Sequence, residues 1–275
     1  MRELQVKVRG TVGADWYEYH RSWRKVAAEV VEEALVTLYV NGSELVTIMC
    51  TPRDQMDLAL GFLKNEGFID GMEEVDLLTV SKNGCCVDVW LRHPVQRPKR
   101  VVITSGCGGG VTFDDPSVEI QPLADDTRIT PQDLFPLFNE LNFAGSLYAR
   151  ARGVHASGLA EGGRVLALAE DVGRHNTVDK LVGVCLRRSI DSRGKILLAT
   201  GRVSSEMLRK AAWMGCPIVA SRNSPTSMSV AMAEAWNITL VGYVRQGFMR
   251  VYSHPERLGH GDSAMAGRNQ AGARL

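Results

Sequence analysis

Cys107 stands in the run Thr104-Ser105-Gly106-Cys107-Gly108-Gly109-Gly110, one thiol among four glycines, directly after the apolar Val101-Val102-Ile103. Glycine lets a backbone turn sharply and approach a ligand closely, at an ordering cost that core packing does not repay. The successive N–H groups of Gly108, Gly109 and Gly110 suit an anion-binding nest, which would lower the thiol pKa and favour the nucleophilic thiolate. A reactive, presented thiol is one expectation; a flexible loop that happens to hold a cysteine is the other. The remaining cysteines read differently. Cys50 ends a strand, Cys185 lies on the apolar face of a helix and Cys216 opens the strand Cys216-Pro217-Ile218-Val219-Ala220, so all three are expected in the core. Cys85-Cys86 follows a hairpin turn, and neither has a partner at metal-ligand spacing.

Four further stretches could do chemistry. Glu170 to Lys180 (EDVGRHNTVDK) packs charges, a histidine and a glycine into a strand-to-helix corner. Arg174 could grip phosphate, and Asp171 or Asp179 could orient His175. His155 on a neighbouring strand could face the same space, so His155, His175 and Asp171 are candidates for proton handling. A network of caps and salt bridges around a helix start accounts for the same residues equally well. Gly201-Arg202-Val203-Ser204-Ser205 and Ser221-Arg222-Asn223-Ser224-Pro225-Thr226 each place a strand end against a helix start, where unpaired N–H groups and the helix dipole favour anions. Hydroxyls at helix starts are also ordinary caps. Finally, in Gly242 to Tyr252, Arg245 and the flanking aromatics could stack on a base or pair with phosphate; a plain hairpin with exposed arginines reads the same way.

The elements that must position these groups follow from turn and periodicity signals. Val26 to Val31, Ala34 to Val40 and Leu45 to Met49 read as strands, with Asn41-Gly42 as a tight turn. Thr51 and Pro52 read as the cap and first residue of a helix that ends near Gly67. Val75 to Val80, Cys86 to Leu91 and Val101 to Thr104 complete a small α+β unit. A polar stretch from Gly108 to Ile129 reads as a linker, and Thr130-Pro131 as the start of the next helix. A hairpin across Glu161-Gly162-Gly163 then feeds strands and helices in the order βαβαβ, whose ligands sit outside the strand C-termini near Gly201, Ser221 and Tyr243. The expected division is residues 1–125 as an N-terminal α+β domain ending in the Cys107 loop, 126–258 as an α/β domain, and 259–275 as a disordered tail.

Composition narrows the class. The chain has 275 residues, 45% hydrophobic and 23% charged, with a net charge of +1, which gives no global attraction to nucleic acid or membrane. The N-terminus MRELQVKVRG lacks the apolar core of a signal peptide, and six irregularly spaced cysteines do not make a disulfide framework. A cytoplasmic protein with reduced thiols is expected.

With these segments in hand, the chain resembles the FdhD family, the formate dehydrogenase accessory sulfurtransferases. The resemblance rests on NGSELVTIMCTPRDQMDLALGFLKNEGFI, TSGCGGG, GVHASGLAEGGRVLALAEDVGRHNTVDKLVG, GRVSSEMLRKAAWMGCPIV, SPTSMSVAMAE and ITLVGYVRQGFMRVY, in family order over residues 25 to 258. It implies an α/β fold, α+β overall, with a cytidine-deaminase-like three-layer C-terminal domain, and a homodimer. It implies a sulfur carrier: a cysteine desulfurase hands sulfane sulfur to Cys107, and the persulfide passes it to the molybdenum cofactor, bis-molybdopterin guanine dinucleotide, before apo formate dehydrogenase receives the cofactor. Tyr243, Val244, Arg245, Gln246, Gly247 and Phe248 match the stretch assigned to cofactor contact. Arg202, Ser204, Arg222 and Arg245 are the expected holders of its guanine nucleotide and phosphate arms. The cofactor is expected as a bound substrate, with no resident metal, nucleic acid or membrane partner. The family loop commonly reads Cys-Gly-x-Cys-Gly, and here Gly110 occupies the second cysteine's place, which puts relay between two thiols in doubt and leaves carriage by one. Two alternatives are open to test, and the residues speak against the first. Zinc deamination needs His-x-Glu and Pro-Cys-x-x-Cys; His155 is followed by Ala156 and Ser157, and no second cysteine follows Cys216-Pro217. A chaperone that delivers the cofactor without carrying sulfur would not need a reactive Cys107.

Overall fold

The structure is a computed structural model that describes residues 10–95, 102–103, 111–112, 120–144 and 146–261. Strands β1 (Thr11–Tyr19) and β2 (Trp23–Val31) pair as a two-stranded antiparallel ribbon. β3 (Ala34–Val40) and β4 (Ser43–Cys50) form a hairpin in which Asn41 and Gly42 both take positive φ, as an Asn-Gly turn requires. Helix α1 is Gln55–Asn65, and β5 (Val75–Val80) with β6 (Cys86–Leu91) completes a sheet of order β4-β3-β6-β5. Alternation puts Val36, Leu38, Val87 and Val89 on its inner face, against Leu58, Phe62 and Leu63 of α1. The helix starts three residues later than Thr51-Pro52 suggests. Thr51 is taken up elsewhere: its N–H donates to Asp171 Oδ2 (3.0 Å) and its hydroxyl accepts from Val172 N.

Two short strands, β7 (Val102–Ile103) and β8 (Val111–Thr112), pair antiparallel. Cys107 falls on the connection between them, outside the described residues. Helices α2 (Pro131–Ala144) and α3 (Ser146–Ala151) lead to β9 (His155–Glu161), β10 (Arg164–Asp171) and α4 (Arg174–Arg187). β11 (Ile196–Ala199), α5 (Ser205–Trp213), β12 (Ile218–Ser221), α6 (Ser227–Ala235), β13 (Thr239–Arg245) and β14 (Phe248–Val251) follow. The six-stranded sheet has order β10-β9-β11-β12-β13-β14. Its β11, β12 and β13 are parallel, which is the expected βαβαβ order, and β14 turns back antiparallel. The overall class is mixed α/β, as expected. No helix among the described residues is long and apolar enough to cross a membrane.

Packing groups the chain in a way that a single cut near residue 125 does not. One compact unit gathers the chain through Glu119 with Leu141–Gly158 and Ala167–Asp191; the other gathers Ile120–Glu140, Leu159–Leu166 and the chain from Ser192. The cause lies in α4, which follows the β9–β10 hairpin yet packs on α1. A Cβ on Gly61 would lie 1.6 Å from the Asp179 carbonyl oxygen, and one on Gly183 2.0 Å from that of Asp57, so only two glycines let these backbones touch. Asn65 Nδ2 donates to Asp179 Oδ1 (2.6 Å) and Arg187 Nη1 to Asp57 Oδ1 (3.1 Å) across the same contact. Of the expected tail 259–275, residues 259–261 form a turn that continues from Pro255–Leu258, and the rest lies outside the described residues.

Candidate functional site

Burial sorts the described thiols as their sequence positions suggest. Cys50, Cys185 and Cys216 are buried, Cys86 is half-buried and Cys85 exposed. Burial pushes the Cys50 thiol up to about 12 and the Cys185 thiol up to about 11, so both stay protonated and inert near neutrality.

In the first unit, the corner after β10 is mostly a structural knot. Asp171 is fully buried and pairs with the equally buried Lys180 at 2.6 Å. Its oxygens also accept from Thr51 N, Gly173 N (2.8 Å) and Asn176 Nδ2 (2.9 Å). Lys180 Nζ donates in addition to the Thr51 and Glu170 carbonyls. Glu170 accepts from Leu147 N and Tyr148 N in the first turn of α3, and Asp179 is held by Asn65. A carboxylate surrounded by donors beside a buried ammonium holds a corner in place. The structure thus places Asp171, a candidate for proton handling, at the centre of the contacts that hold this corner. His155 is half-buried; burial first, then the Arg174 guanidinium, holds its pKa below the usual histidine value, with Asp171 pulling the other way. The imidazole is neutral at pH 7. His175 is 8% exposed at the start of α4, next to the half-buried Arg174.

In the second unit, three strand ends form one connected platform. After β11, Gly201 is buried, Arg202 is exposed and Ser204 caps α5 by accepting from Met207 N. After β12, the Ser221 hydroxyl donates to the Gly201 carbonyl (2.6 Å) and accepts from Asn223 N, while Asn223 Nδ2 donates to the Thr200 carbonyl (2.9 Å). After Val241 of β13, Tyr243 N donates to the Asn223 carbonyl (3.3 Å), and a Cβ on Gly242 would come within 2.9 Å of that same oxygen. Arg222, just after β12, is half-buried. Its Nη2 donates to the Phe138 carbonyl (3.2 Å) and its guanidinium lies 5.9 Å from the Phe138 ring centre, so it braces α2.

The chain is most unusual at Tyr243. Between Gly242 and Arg245 the β13–β14 register slips, so Tyr243 and Val244 oppose Met249 alone, a β-bulge. Tyr243 takes φ 54°, in the left-handed region that a bulky side chain enters only under constraint, at a cost of about 1–3 kcal/mol. Its ring carries the Arg250 guanidinium at 4.4 Å, and Phe248 has the same cation at 5.9 Å. Arg245, Gln246, Gly247 and Phe248 are exposed around a tight turn, while Val244 is 1% exposed and anchors the strand. Cations, aromatic faces and bare backbone thus share one rim, which fits a nucleotide's base and phosphates. Arg250, Asn223 and the bulge were not singled out from sequence. A glycine inside a strand next to an aromatic, as in Gly242-Tyr243, is the signal that could have found the bulge. Among the described residues, no group of three His, Cys, Asp or Glu side chains could hold a metal ion.

The model of the FdhD/NarQ family matches residues 31–259. The chain belongs to that family. It is 36% identical over 240 residues to the sulfur carrier protein FdhD of Bacillus subtilis, covering 85% of this chain and 92% of the relative. It is 35% identical over 237 residues to the protein of the same name from Staphylococcus aureus (strain MRSA252), covering 84% and 89%. A crystal structure from Desulfotalea psychrophila, described as that of a formate dehydrogenase accessory protein, superposes with a TM-score of 0.75 at 28% identity, covering 90% of this chain and 99% of that one. The FdhD/NarQ match thus spans β3 to the final turn, and includes both the corner after β10 and the platform after β11 to β13.

Proposed function

We propose that this chain is a cytoplasmic sulfur carrier serving formate dehydrogenase, with Cys107 as the thiol that carries. Its thiolate attacks the terminal sulfur of a cysteine desulfurase persulfide. A new S–S bond forms on Cys107, the donor S–S bond breaks, and the desulfurase thiolate leaves. The acceptor is the molybdenum of bis-molybdopterin guanine dinucleotide, a bound substrate later received by apo formate dehydrogenase. Sulfane sulfur becomes a sulfide ligand by taking up two electrons, from the metal centre or a thiol reductant. The observation that carries the cofactor half of this reading is the strained Tyr243 beside Arg250 at the joined strand ends. Such strain persists where surrounding structure holds it for a purpose. Arg202 and Arg245 are the exposed cations for the phosphates, and Tyr243 and Phe248 the faces for guanine. Ser204 stays a helix cap, and Arg222 acts by bracing α2. His155, with its pKa held low by burial, and His175 and Asp171 are the groups proposed to handle protons. The protein works as a homodimer.

The test uses GDP as the nucleotide probe and radiolabelled cysteine as the sulfur source. GDP should bind saturably and be weakened about tenfold or more by Arg245→Ala, since a charge-assisted phosphate contact contributes on the order of 1.5–3 kcal/mol. Label loaded by a desulfurase should move from protein to cofactor. Saturable GDP binding without transferable label would leave a cofactor chaperone in place of a carrier.

A further inference from the structure

A cavity of about 480 Å³ lies in the second unit at the N-terminal end of β11, away from the strand ends that carry Arg202 and Tyr243. Its floor is apolar, made by Ile129, Ala160 and Ile196, each no more than 9% exposed. One wall is Arg257, which is 6% exposed. Its guanidinium donates to the Asp125 carbonyl at 3.0 Å and to Thr239 Oγ1 at 3.4 Å, both neutral oxygens, and it has no carboxylate partner among the described residues. A buried cation without a counter-ion is costly, and five N–H donors facing two acceptors leave donors to spare. The acidic residues on the wall are engaged: Glu161 pairs with Lys195 at 3.0 Å, and Asp133 accepts the Thr130 hydroxyl at 2.7 Å. The positive end of the 14-residue α2 opens on the same space at Thr130. At the rim, Gly162 and Gly163 have nothing within 4 Å of where a Cβ would stand, so a ligand can reach the backbone.

We propose that this cavity binds a small organic anion, its carboxylate or phosphate on Arg257 and its apolar body on Ile129, Ala160 and Ile196. The volume falls within the range of small-molecule sites, and an apolar floor with one buried cation selects an amphiphilic monoanion or dianion over inorganic salt.

The test is ligand-observed NMR on the full chain with phenyl phosphate and benzoate as probes. At least one should bind saturably with a Kd at or below about 1 mM, and the tighter of the two separates a phosphate from a carboxylate source. Phenol, with the same ring and no charge, should bind at least tenfold more weakly. Arg257→Met should weaken the tighter probe at least tenfold. Because Arg257 also holds Asp125 and Thr239, Ile196→Phe, which fills the floor and leaves the cation, is the second variant and should weaken it too. GDP should not displace the probe. Absence of saturable binding by both probes, undiminished binding in both variants, or displacement by GDP overturns the proposal.

Discussion

At the corner after β10, Asp171 is 0% exposed and shared among Lys180, Thr51, Gly173 and Asn176; after β11 and at the end of β13, Arg202 and Arg245 are exposed and Tyr243 holds positive φ. Both regions place charges where a strand ends, and in sequence the first is the richer of the two. Its charges are spent on each other, in a medium where a lone charge is costly, and they fix α4 against α1. The second keeps its cations in water and stores strain in one residue, which is what a ligand can use. The density of ionisable residues in a motif therefore says less about chemistry than the number of hydrogen-bond partners already inside it.

That contrast can be broken or sharpened by substitution. The largest effect is expected from Lys180→Met, which leaves Asp171 as a buried anion without its counter-ion and should cost about 3–5 kcal/mol in urea unfolding. The double variant Lys180→Met with Asp171→Leu should recover much of that loss. A single-variant loss under about 1 kcal/mol would contradict a tightly held pair. Next, Tyr243→Gly should leave stability level or raise it by up to about 1–2 kcal/mol, because glycine enters the left-handed region freely, while GDP binding weakens by about tenfold. Lower stability with unchanged GDP binding would make Tyr243 structural. Arg250→Ala removes a cation held over an aromatic ring, and GDP binding should weaken by about two- to fivefold, as an exposed cation–π contact implies. The smallest effect concerns pH. His155 is lowered in the folded protein, so the unfolded chain binds its proton more readily. Its contribution to stability is complete above the unfolded value of 6.5 and is lost as pH falls from there through the folded value. His155→Gln should flatten the acid side of the stability curve below that point, and an unchanged slope would show that another group titrates there.

Much of the fold was legible because its signals are local. Asn41-Gly42 gave its hairpin turn, Gly162-Gly163 the next one, and Thr226 and Ser204 capped α6 and α5 as hydroxyls before a helix do. The failures came from tertiary competition. Thr51-Pro52 has the form of a helix start, yet the Thr51 groups bind the Asp171 corner, 120 residues away in sequence. The contact of Gly61 with Gly183 leaves no local trace, since a glycine inside a helix carries no record of what approaches it. For the candidate site, the strand-end positions followed from βαβαβ order alone. The bulge at Gly242-Tyr243 and the stacking of Arg250 depend on register, which one strand does not reveal without its neighbour.

The central claim is that Cys107 carries sulfur while Cys50 and Cys185, with thiols raised by burial, do not. Intact-protein mass spectrometry after incubation with a cysteine desulfurase and cysteine tests it most directly. Wild type should gain a reductant-sensitive mass of about 32 Da, one sulfur atom held as a persulfide, and Cys107→Ala should gain none. An adduct that persists in Cys107→Ala, or its absence from wild type under conditions where the desulfurase turns over, would contradict the account.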